Sequence, residues 1–400
     1  MKVYILTKEP FPNGMAATNR IKCYARAIIA GGVDCEVVVC GCTELKKDSI
    51  RNTVPLGFYE EVPFRYIGGY TVDTRPTTIR LFSQYFRLIQ TAFYLRRHLE
   101  NGDVVIFYLD ANIQWYKRFI RLSHRKGAFC VRDLCEYPLG ARSDSEDIVK
   151  QRERVFNDLF PKFDGIISIS DALLDVAKRH SSQCCKHLKV PIMVEYERYY
   201  TDDKSKECSV PYIFHAGSLS QQKDGVLGMI EAFGLAKQSL NYPLKYYLTG
   251  TIASATCSKE IEDLLDKYQL HGSVCFLGYL FPEEVKEYLS RASLVISNRP
   301  KSRQDYYGFS TKVGEYLATG TPLITTKWGE VVNWLEDGKS AYILPPEDTI
   351  ALANSIIHVF SDPDDAAKVG RNGQKVCKDR FDYCQWSKSL VNYFKSFSQS

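Results

Sequence analysis

The residues best equipped for chemistry stand together in one run, Asp305-Tyr-Tyr-Gly-Phe-Ser-Thr-Lys-Val-Gly-Glu-Tyr-Leu-Ala-Thr-Gly-Thr-Pro-Leu-Ile-Thr-Thr326. A loop of small residues, Gly308 through Phe309 and Ser310 to Thr311, feeds a helical pattern that carries Lys312 and, about one turn on, Glu315. The run closes on the apolar strand Pro322–Thr325. A loop entering a helix exposes unpaired backbone N–H groups and the positive end of the helix dipole, which suits a diphosphate. An ionised carboxylate only accepts hydrogen bonds, so Glu315 could take both hydroxyls of a ribose. Together they describe a nucleotide-diphosphate site. A plain helix start with Glu315 in solvent fits these residues equally well.

Two more loops carry chemistry. Pro211–Ala216 reads as a strand and is followed by Gly217, Ser218 and then Lys223. Glycine there lets backbone approach a ligand, and an ammonium can neutralise phosphate. After the first strand, the Pro/Gly loop Glu9–Gly14 leads to a helix with Thr18 and Arg20 near its start, a candidate acceptor or phosphate loop. Ordinary loops with solvated polar residues would look the same.

The elements that must position these residues alternate between strand and helix. Strands are expected at Lys2–Leu6, Cys35–Val39, Val104–Tyr108, Ala128–Arg132 and Gly165–Ser170 in the first half. In the second they fall at Pro211–Ala216, Leu244–Thr249, Val274–Leu277, Leu294–Ser297, Pro322–Thr325 and Tyr342–Leu344. Helical patterns such as Ala17–Ala30, Asn112–Arg125 and Val226–Gln238 lie between them. The strands are apolar without polar alternation, as in parallel sheets covered on both faces. A chain of 400 residues exceeds what one core serves, and the polar break Thr201–Cys208 reads as a linker. The fold class is therefore α/β, with two doubly wound, Rossmann-like domains and ligands at strand carboxyl ends facing a cleft. The expected division is residues 1–203 for the acceptor and 204–383 for the donor, with a helix in 384–400 packing back on the first domain.

Composition excludes several classes. A net charge of +5 is too mild to argue for nucleic acid, and no apolar run could span a bilayer. The N-terminus lacks a signal-peptide pattern. The 13 cysteines scatter through apolar runs with no Cys-x-x-Cys pair, which points to reduced thiols and a cytoplasmic address. No Gly-x-Gly-x-x-Gly follows the first strand of either half, so neither a nicotinamide nor a flavin cofactor is expected.

The chain resembles the retaining family-4 glycosyltransferases of the GT-B fold, especially bacterial enzymes of capsule, exopolysaccharide and O-antigen synthesis. The resemblance runs through the Pro-Asn-Gly14 loop, Asp164-Gly-Ile-Ile-Ser-Ile-Ser170, Val190-Pro191, and Ala216-Gly-Ser-Leu with Lys223. It continues in Phe276-Leu-Gly-Tyr279, Ala292-Ser-Leu-Val-Ile-Ser297, and Gly308-Phe309 with Glu315-Tyr-Leu-Ala-Thr-Gly-Thr-Pro322. It implies a nucleotide-sugar donor in the second domain and a glycan or polyprenyl-diphosphate-linked acceptor in the first. The family's donor motif has two glutamates; the second matches Glu315, while Tyr307 occupies the position of the first. A subset with lysine three residues before the second glutamate shares this departure, and Lys312 fits it. The family's phosphate-binding arginine is replaced by Ser218, leaving Lys223 as the matching cation, with Arg299, Lys301 and Arg303 nearby. Where many relatives carry a histidine, this chain reads Cys130-Val-Arg-Asp133-Leu-Cys-Glu136-Tyr-Pro138, so Glu136 and then Asp133 are the catalytic candidates. Relatives are thought to react on the front face, so the protein mainly positions and stabilises. No metal is implied: Asp362-Pro-Asp364, the one Asp-x-Asp, lies far from the donor motif.

The segment Thr78–His98 mixes Arg80, Arg87, Arg96 and Arg97 with Phe82, Phe86 and Tyr94 at helical spacing. Either these aromatics face a core, or the helix meets an anionic membrane surface. Two other functions share the architecture: a non-hydrolysing nucleotide-sugar epimerase, for which His215 is the well-placed histidine, and a non-catalytic nucleotide-sugar binding subunit.

Overall fold

In a computed structural model, residues 1–45, 50–108, 113–138, 145–200, 209–240 and 242–399 are described. The expected linker Thr201–Cys208 and Asn112 lie outside them. The chain forms two compact units, Met1–Met193 with Tyr383–Ser400, and Val194–Asp382.

Unit 1 contains β1 (Lys2–Thr7), β2 (Asp34–Val39), β3 (Glu44–Leu45), β4 (Leu56–Tyr59), β5 (Val62–Tyr66), β6 (Val72–Asp73), β7 (Val104–Tyr108), β8 (Phe129–Leu134), β9 (Gly165–Ser168) and β10 (Lys186–Lys189). Its helices are α1 (Ala16–Ala30), α2 (Thr77–His98), α3 (Ile113–Arg125), α4 (Glu146–Arg154) and α5 (Asp171–His180). The main sheet runs β10-β9-β8-β7-β1-β2-β5-β4, parallel except for the β4–β5 hairpin. Val3 to Leu6, Val37 to Val39 and Val104 to Phe107 are buried on both faces, which explains why they read as unbroken apolar runs. The C-terminal helix Ser387–Ser396 lays Leu390, Val391 and Phe394 into the core shared with Ile21, Tyr24 and Ile28.

Unit 2 contains β11 (Tyr212–Ala216), β12 (Lys245–Thr249), β13 (Val274–Gly278), β14 (Leu294–Ser297), β15 (Leu323–Thr326) and β16 (Tyr342–Leu344). They form one parallel sheet, ordered β13-β12-β11-β14-β15-β16. Its helices are α6 (Tyr196–Tyr199), α7 (Gln221–Asp224), α8 (Val226–Ser239), α9 (Ala255–Lys267), α10 (Pro282–Arg291), α11 (Arg303–Tyr307), α12 (Thr311–Ala318), α13 (Thr349–Ser361) and α14 (Pro363–Val376). The unit starts at Val194 rather than near residue 204. The Val194 N–H donates to the Phe381 carbonyl at 2.8 Å, and Tyr196 and Tyr199 are buried, so this stretch is tied to the end of its own unit. Likewise the second division falls at Asp382/Tyr383 rather than after residue 383.

Candidate functional site

In unit 2 the polar residues converge at the carboxyl end of β11. The Gly217 loop is drawn in by Asp224, whose side chain is fully buried. Asp224 Oδ2 accepts from the Ser218 N–H at 3.0 Å and the Ser218 hydroxyl at 2.7 Å, while Oδ1 accepts from Lys312 Nζ at 2.8 Å. Arg299 Nη1 stands 3.7 Å from the same Oδ1. A Cβ on Gly217 would lie 2.5 Å from Lys312 Nζ and 2.6 Å from His215 Nε2, so only glycine fits between these side chains. Gly250, at φ +129°, approaches so closely that a Cβ there would meet the Gly217 carbonyl at 1.7 Å. Ser220 caps the single-turn α7 by accepting from the Lys223 N–H at 3.0 Å, and Gly225 ends it in the left-handed region. This turn returns Lys223 and Asp224 to the loop.

Glu315 sits half-buried within α12, past its N-cap Ser310. The Tyr316 hydroxyl pins α12 to β11, accepting from the Ala216 N–H at 2.8 Å. Phe309 is buried, whereas Gly308, Ser310 and Thr311 remain half-buried at the start of the helix. Tyr307 closes α11, whose Ser302 cap accepts from the Asp305 N–H at 3.0 Å. Arg299 Nε donates to Asp305 Oδ1 at 2.8 Å, which turns that guanidinium toward the cluster. Lys301 instead lies over the Trp328 ring, 5.3 Å from its centroid, and Arg303 is exposed. The three loop cations thus separate, and only Arg299 reaches the site.

The electrostatics follow from this crowding. Burial pushes the Lys312 ammonium down; Asp224 works against that shift, while Arg299 and Lys223 reinforce it by like-charge repulsion. Burial alone would raise the Asp224 carboxyl, but the Lys312 charge and the hydrogen bonds from Lys312 and Ser218 hold it well below the ordinary range. His215 is pushed down to about 4, first by burial and then by the Lys312 charge. The ring is therefore neutral at pH 7, with Nδ1 donating to the Ile296 carbonyl at 2.8 Å. Three cations (Lys223, Arg299 and Lys312) thus meet two carboxylates (Asp224 and Asp305), an imbalance that an anion would relieve.

Unit 1 arranges its candidates differently. Arg20 and Asp133 form a buried pair: Nε donates to Oδ2 and Nη2 to Oδ1, both at 3.1 Å. Tyr24 adds a 2.7 Å hydrogen bond to Oδ1, and Arg20 also donates to the carbonyls of Val190 and Pro191. Asp133 is thus occupied in holding β8 to α1, rather than presented for catalysis, and Arg20 is not open to a phosphate. Thr18 is buried, donating to the Pro10 carbonyl at 2.7 Å, and a Cβ on Gly14 would collide with its hydroxyl at 2.0 Å. These residues build the loop. Glu136 differs: it is exposed at the bend beyond β8. Asp362 caps α14 by accepting from the Asp365 N–H at 3.1 Å, which accounts for the Asp-Pro-Asp pattern. Among the described residues, the groups that could hold a metal are His124, Cys130 and Asp164, and Glu262, Asp266 and His271. Neither includes a residue of the Asp224 cluster.

Asp224, His215, Asp305 and Tyr316 organise the site, yet the first, third and fourth escaped the sequence. Ser220 as a cap with Gly225 as a stop was the legible sign that a single turn folds Asp224 back.

Residues 202–376 match the family model described as glycosyl transferases group 1. The alpha-1,3/1,6-mannosyltransferase ALG2 of Dictyostelium discoideum is 27% identical over 150 residues, covering 37% of this chain and 34% of ALG2. WcaL of Escherichia coli K12, a candidate colanic acid biosynthesis glycosyltransferase, is 23% identical over 263 residues, covering 64% of this chain and 63% of WcaL. The match thus spans less than two thirds of these relatives' lengths. Sucrose-phosphate synthase from Thermosynechococcus elongatus superimposes with a TM-score of 0.73 at 18% identity, over 100% of both chains. HepE of Anabaena, solved with UDP, gives 0.68 at 15% identity over 99% of this chain and 100% of its own. The structural likeness shows a GT-B fold of two Rossmann-like units, and the sequence matches support a glycosyltransferase.

Proposed function

We propose that this chain is a retaining, metal-independent glycosyltransferase that moves a hexose from a nucleoside diphosphate to a glycan or polyprenyl-diphosphate-linked glycan, in polysaccharide synthesis of the capsule or O-antigen kind. The observation that carries this reading is the convergence of Lys223, Arg299 and Lys312 on the Gly217 loop, with Glu315 further along α12. The cations take the diphosphate and Glu315 the ribose. HepE was solved with UDP-glucose as well as UDP, which agrees with such a donor. In the reaction the acceptor oxygen bonds to the anomeric carbon as the bond to the diphosphate oxygen breaks on the same face. The acceptor proton passes to the departing diphosphate, and the cations stabilise the charge that develops there. Glu136 orients the acceptor hydroxyl. His215, buried and neutral, offers no exposed acid or base for an epimerase.

The α2 helix supports contact with the inner face of a membrane. Phe82, Phe86 and Phe93 are 81%, 58% and 65% exposed, and α2 contains no acidic residue beside its exposed Arg96 and Arg97. Arg87 and Tyr94 turn inward instead, with the Tyr94 hydroxyl 2.9 Å from Glu36 Oε1.

The test is titration with a panel of nucleoside diphosphates, followed by product analysis with the matching sugar donor. Glu315→Gln should weaken binding by roughly ten- to hundredfold, the effect of losing a charge-assisted hydrogen bond worth about 1.5–3 kcal/mol. An α-linked product from an α-linked donor, formed equally well in EDTA, is expected. A β-linked product, a strict need for manganese, or a donor converted without acceptor would each overturn part of this reading.

A further inference from the structure

Unit 1 holds a cavity of about 920 Å³ that the proposed transfer reaction does not use. It opens at the amino ends of β8, β9 and β10: Phe129 begins β8, Asp164 precedes β9, and Lys186 begins β10. Glu136 lies beyond the other end of β8, roughly 20 Å away for a six-residue strand at about 3.3 Å per residue. The cavity is therefore distinct from any ligand site at the strand carboxyl ends.

Its lining joins two chemistries. Lys117, Arg121, Arg125, Lys162 and Lys186 supply cations. Below them Phe129 and Phe397 stack at 5.3 Å, forming an apolar floor. The local carboxylates leave most of this charge unmatched. Asp164 Oδ2 pairs with His124 Nε2 at 2.9 Å and also accepts from the Cys130 N–H at 2.6 Å. Asp158 faces Lys117 at 3.0 Å. Arg121, Arg125 and Lys162 are exposed and have no carboxylate partner among the described residues. Like charges held around one cavity repel, so the arrangement favours an anion. Guanidinium pairs match phosphate geometry in particular.

We infer that this cavity binds a phosphate group attached to an apolar or planar body, at a second site remote from the transfer reaction. Two sources supply that chemistry: a soluble phosphate ester and the headgroup of an anionic lipid. The inference is independent of the donor reading, because it uses no residue of unit 2.

Calorimetric titration with phenyl phosphate tests it, run with a nucleoside diphosphate present to occupy unit 2. A parallel arm measures co-sedimentation with phosphatidylglycerol vesicles against phosphatidylcholine vesicles. The triple variant Arg121→Gln/Arg125→Gln/Lys162→Gln changes only exposed side chains, and its melting temperature checks the fold. Binding should weaken by at least about tenfold, given the strength of charge-assisted contacts to phosphate. Arg121→Lys/Arg125→Lys keeps the charge without the planar fork, so its affinity should fall between those of the native protein and the triple variant. Phenyl phosphate binding lost in the triple variant supports a soluble ester, and anionic-vesicle binding lost in it supports a lipid headgroup. Vesicle binding that survives the triple variant but disappears in Phe82→Ser/Phe86→Ser belongs to α2 and counts against the cavity. Absence of binding in both arms, or binding indifferent to the triple variant, overturns the inference.

Discussion

Arg20 with Asp133 and Lys312 with Asp224 use the same ingredients, a cation and a buried aspartate near a strand's carboxyl end, to opposite ends. In unit 1 the charges are matched and sealed: the two side chains are 2% and 0% exposed, with Tyr24 and two carbonyls filling the remaining hydrogen-bond positions. In unit 2 Asp224 is equally buried, but Lys312 and Arg299 are 22% and 18% exposed and carry more charge than their carboxylates absorb. A closed network fixes architecture, whereas an open one with surplus charge is poised for a ligand. Residue type alone does not separate the two cases; charge balance and exposure do.

The sharpest way to break this comparison is Asp133→Ala. Removing one partner strands the Arg20 charge in the interior, and such losses cost about 3–5 kcal/mol. Urea unfolding should register it, while Arg20→Met/Asp133→Leu should recover most of the stability. A loss below about 1 kcal/mol would show that water reaches Arg20 and that the network is not closed.

The next effect belongs to pH. His215 has a folded value near 4, below its unfolded value near 6.5. Between these values the unfolded chain binds a proton that the folded chain refuses, so stability falls as pH drops through this window. The total approaches about 3 kcal/mol, at 1.36 kcal/mol per unit. Depression of Asp224 adds a further loss in more acidic solution. Amide exchange along β11 at pH 7 and pH 5 reads the effect, and His215→Leu should flatten it. Equal protection at both pH values in the native protein would refute the buried neutral ring.

The smallest effect separates the cations of the open cluster. Lys312→Ala should lower nucleoside diphosphate affinity by roughly ten- to hundredfold, matching about 1.5–3 kcal/mol for a charge-assisted bond. It should also lower stability, because Lys312 holds the buried Asp224 ionised, but by less than Asp133→Ala, since Ser218 and Arg299 still face that carboxylate. Lys223→Ala, at a half-buried position, should cost about 1 kcal/mol or less. The reverse order, measured by calorimetry, would make Lys223 the main phosphate contact and leave Lys312 as a partner of Asp224 alone.

The sequence announced the parallel strands because burial on both faces writes long apolar runs, and β7, β14 and β16 match their expected limits. It hid β10, Lys186-His-Leu-Lys189, because an edge strand with half-buried side chains has no such signature. The Gly308–Glu315 segment was legible because loop, helix and strand are consecutive. The Arg20–Asp133 pair was not, since it joins positions 113 apart. Sequence position alone therefore makes both look like ligand contacts, when the fold uses them on each other. Asp224 is hidden for a related reason: Ser220 and Gly225 mark the turn that carries it, but its partner Lys312 stands 88 positions away.

The return of the chain end to unit 1 sets the order in which the protein can be made. Gly31 packs so tightly beneath Val391 that a Cβ there would lie 2.5 Å from the valine methyl. Tyr393 and Ser396 exchange hydrogen bonds with Lys186 at 2.9 and 2.7 Å. Unit 1 is begun first on the ribosome yet lacks part of its core until residues 390–397 have been translated. Unit 2, unbroken in sequence, has all its residues sooner. The core of the earlier half therefore closes only after the whole of unit 2 has been translated.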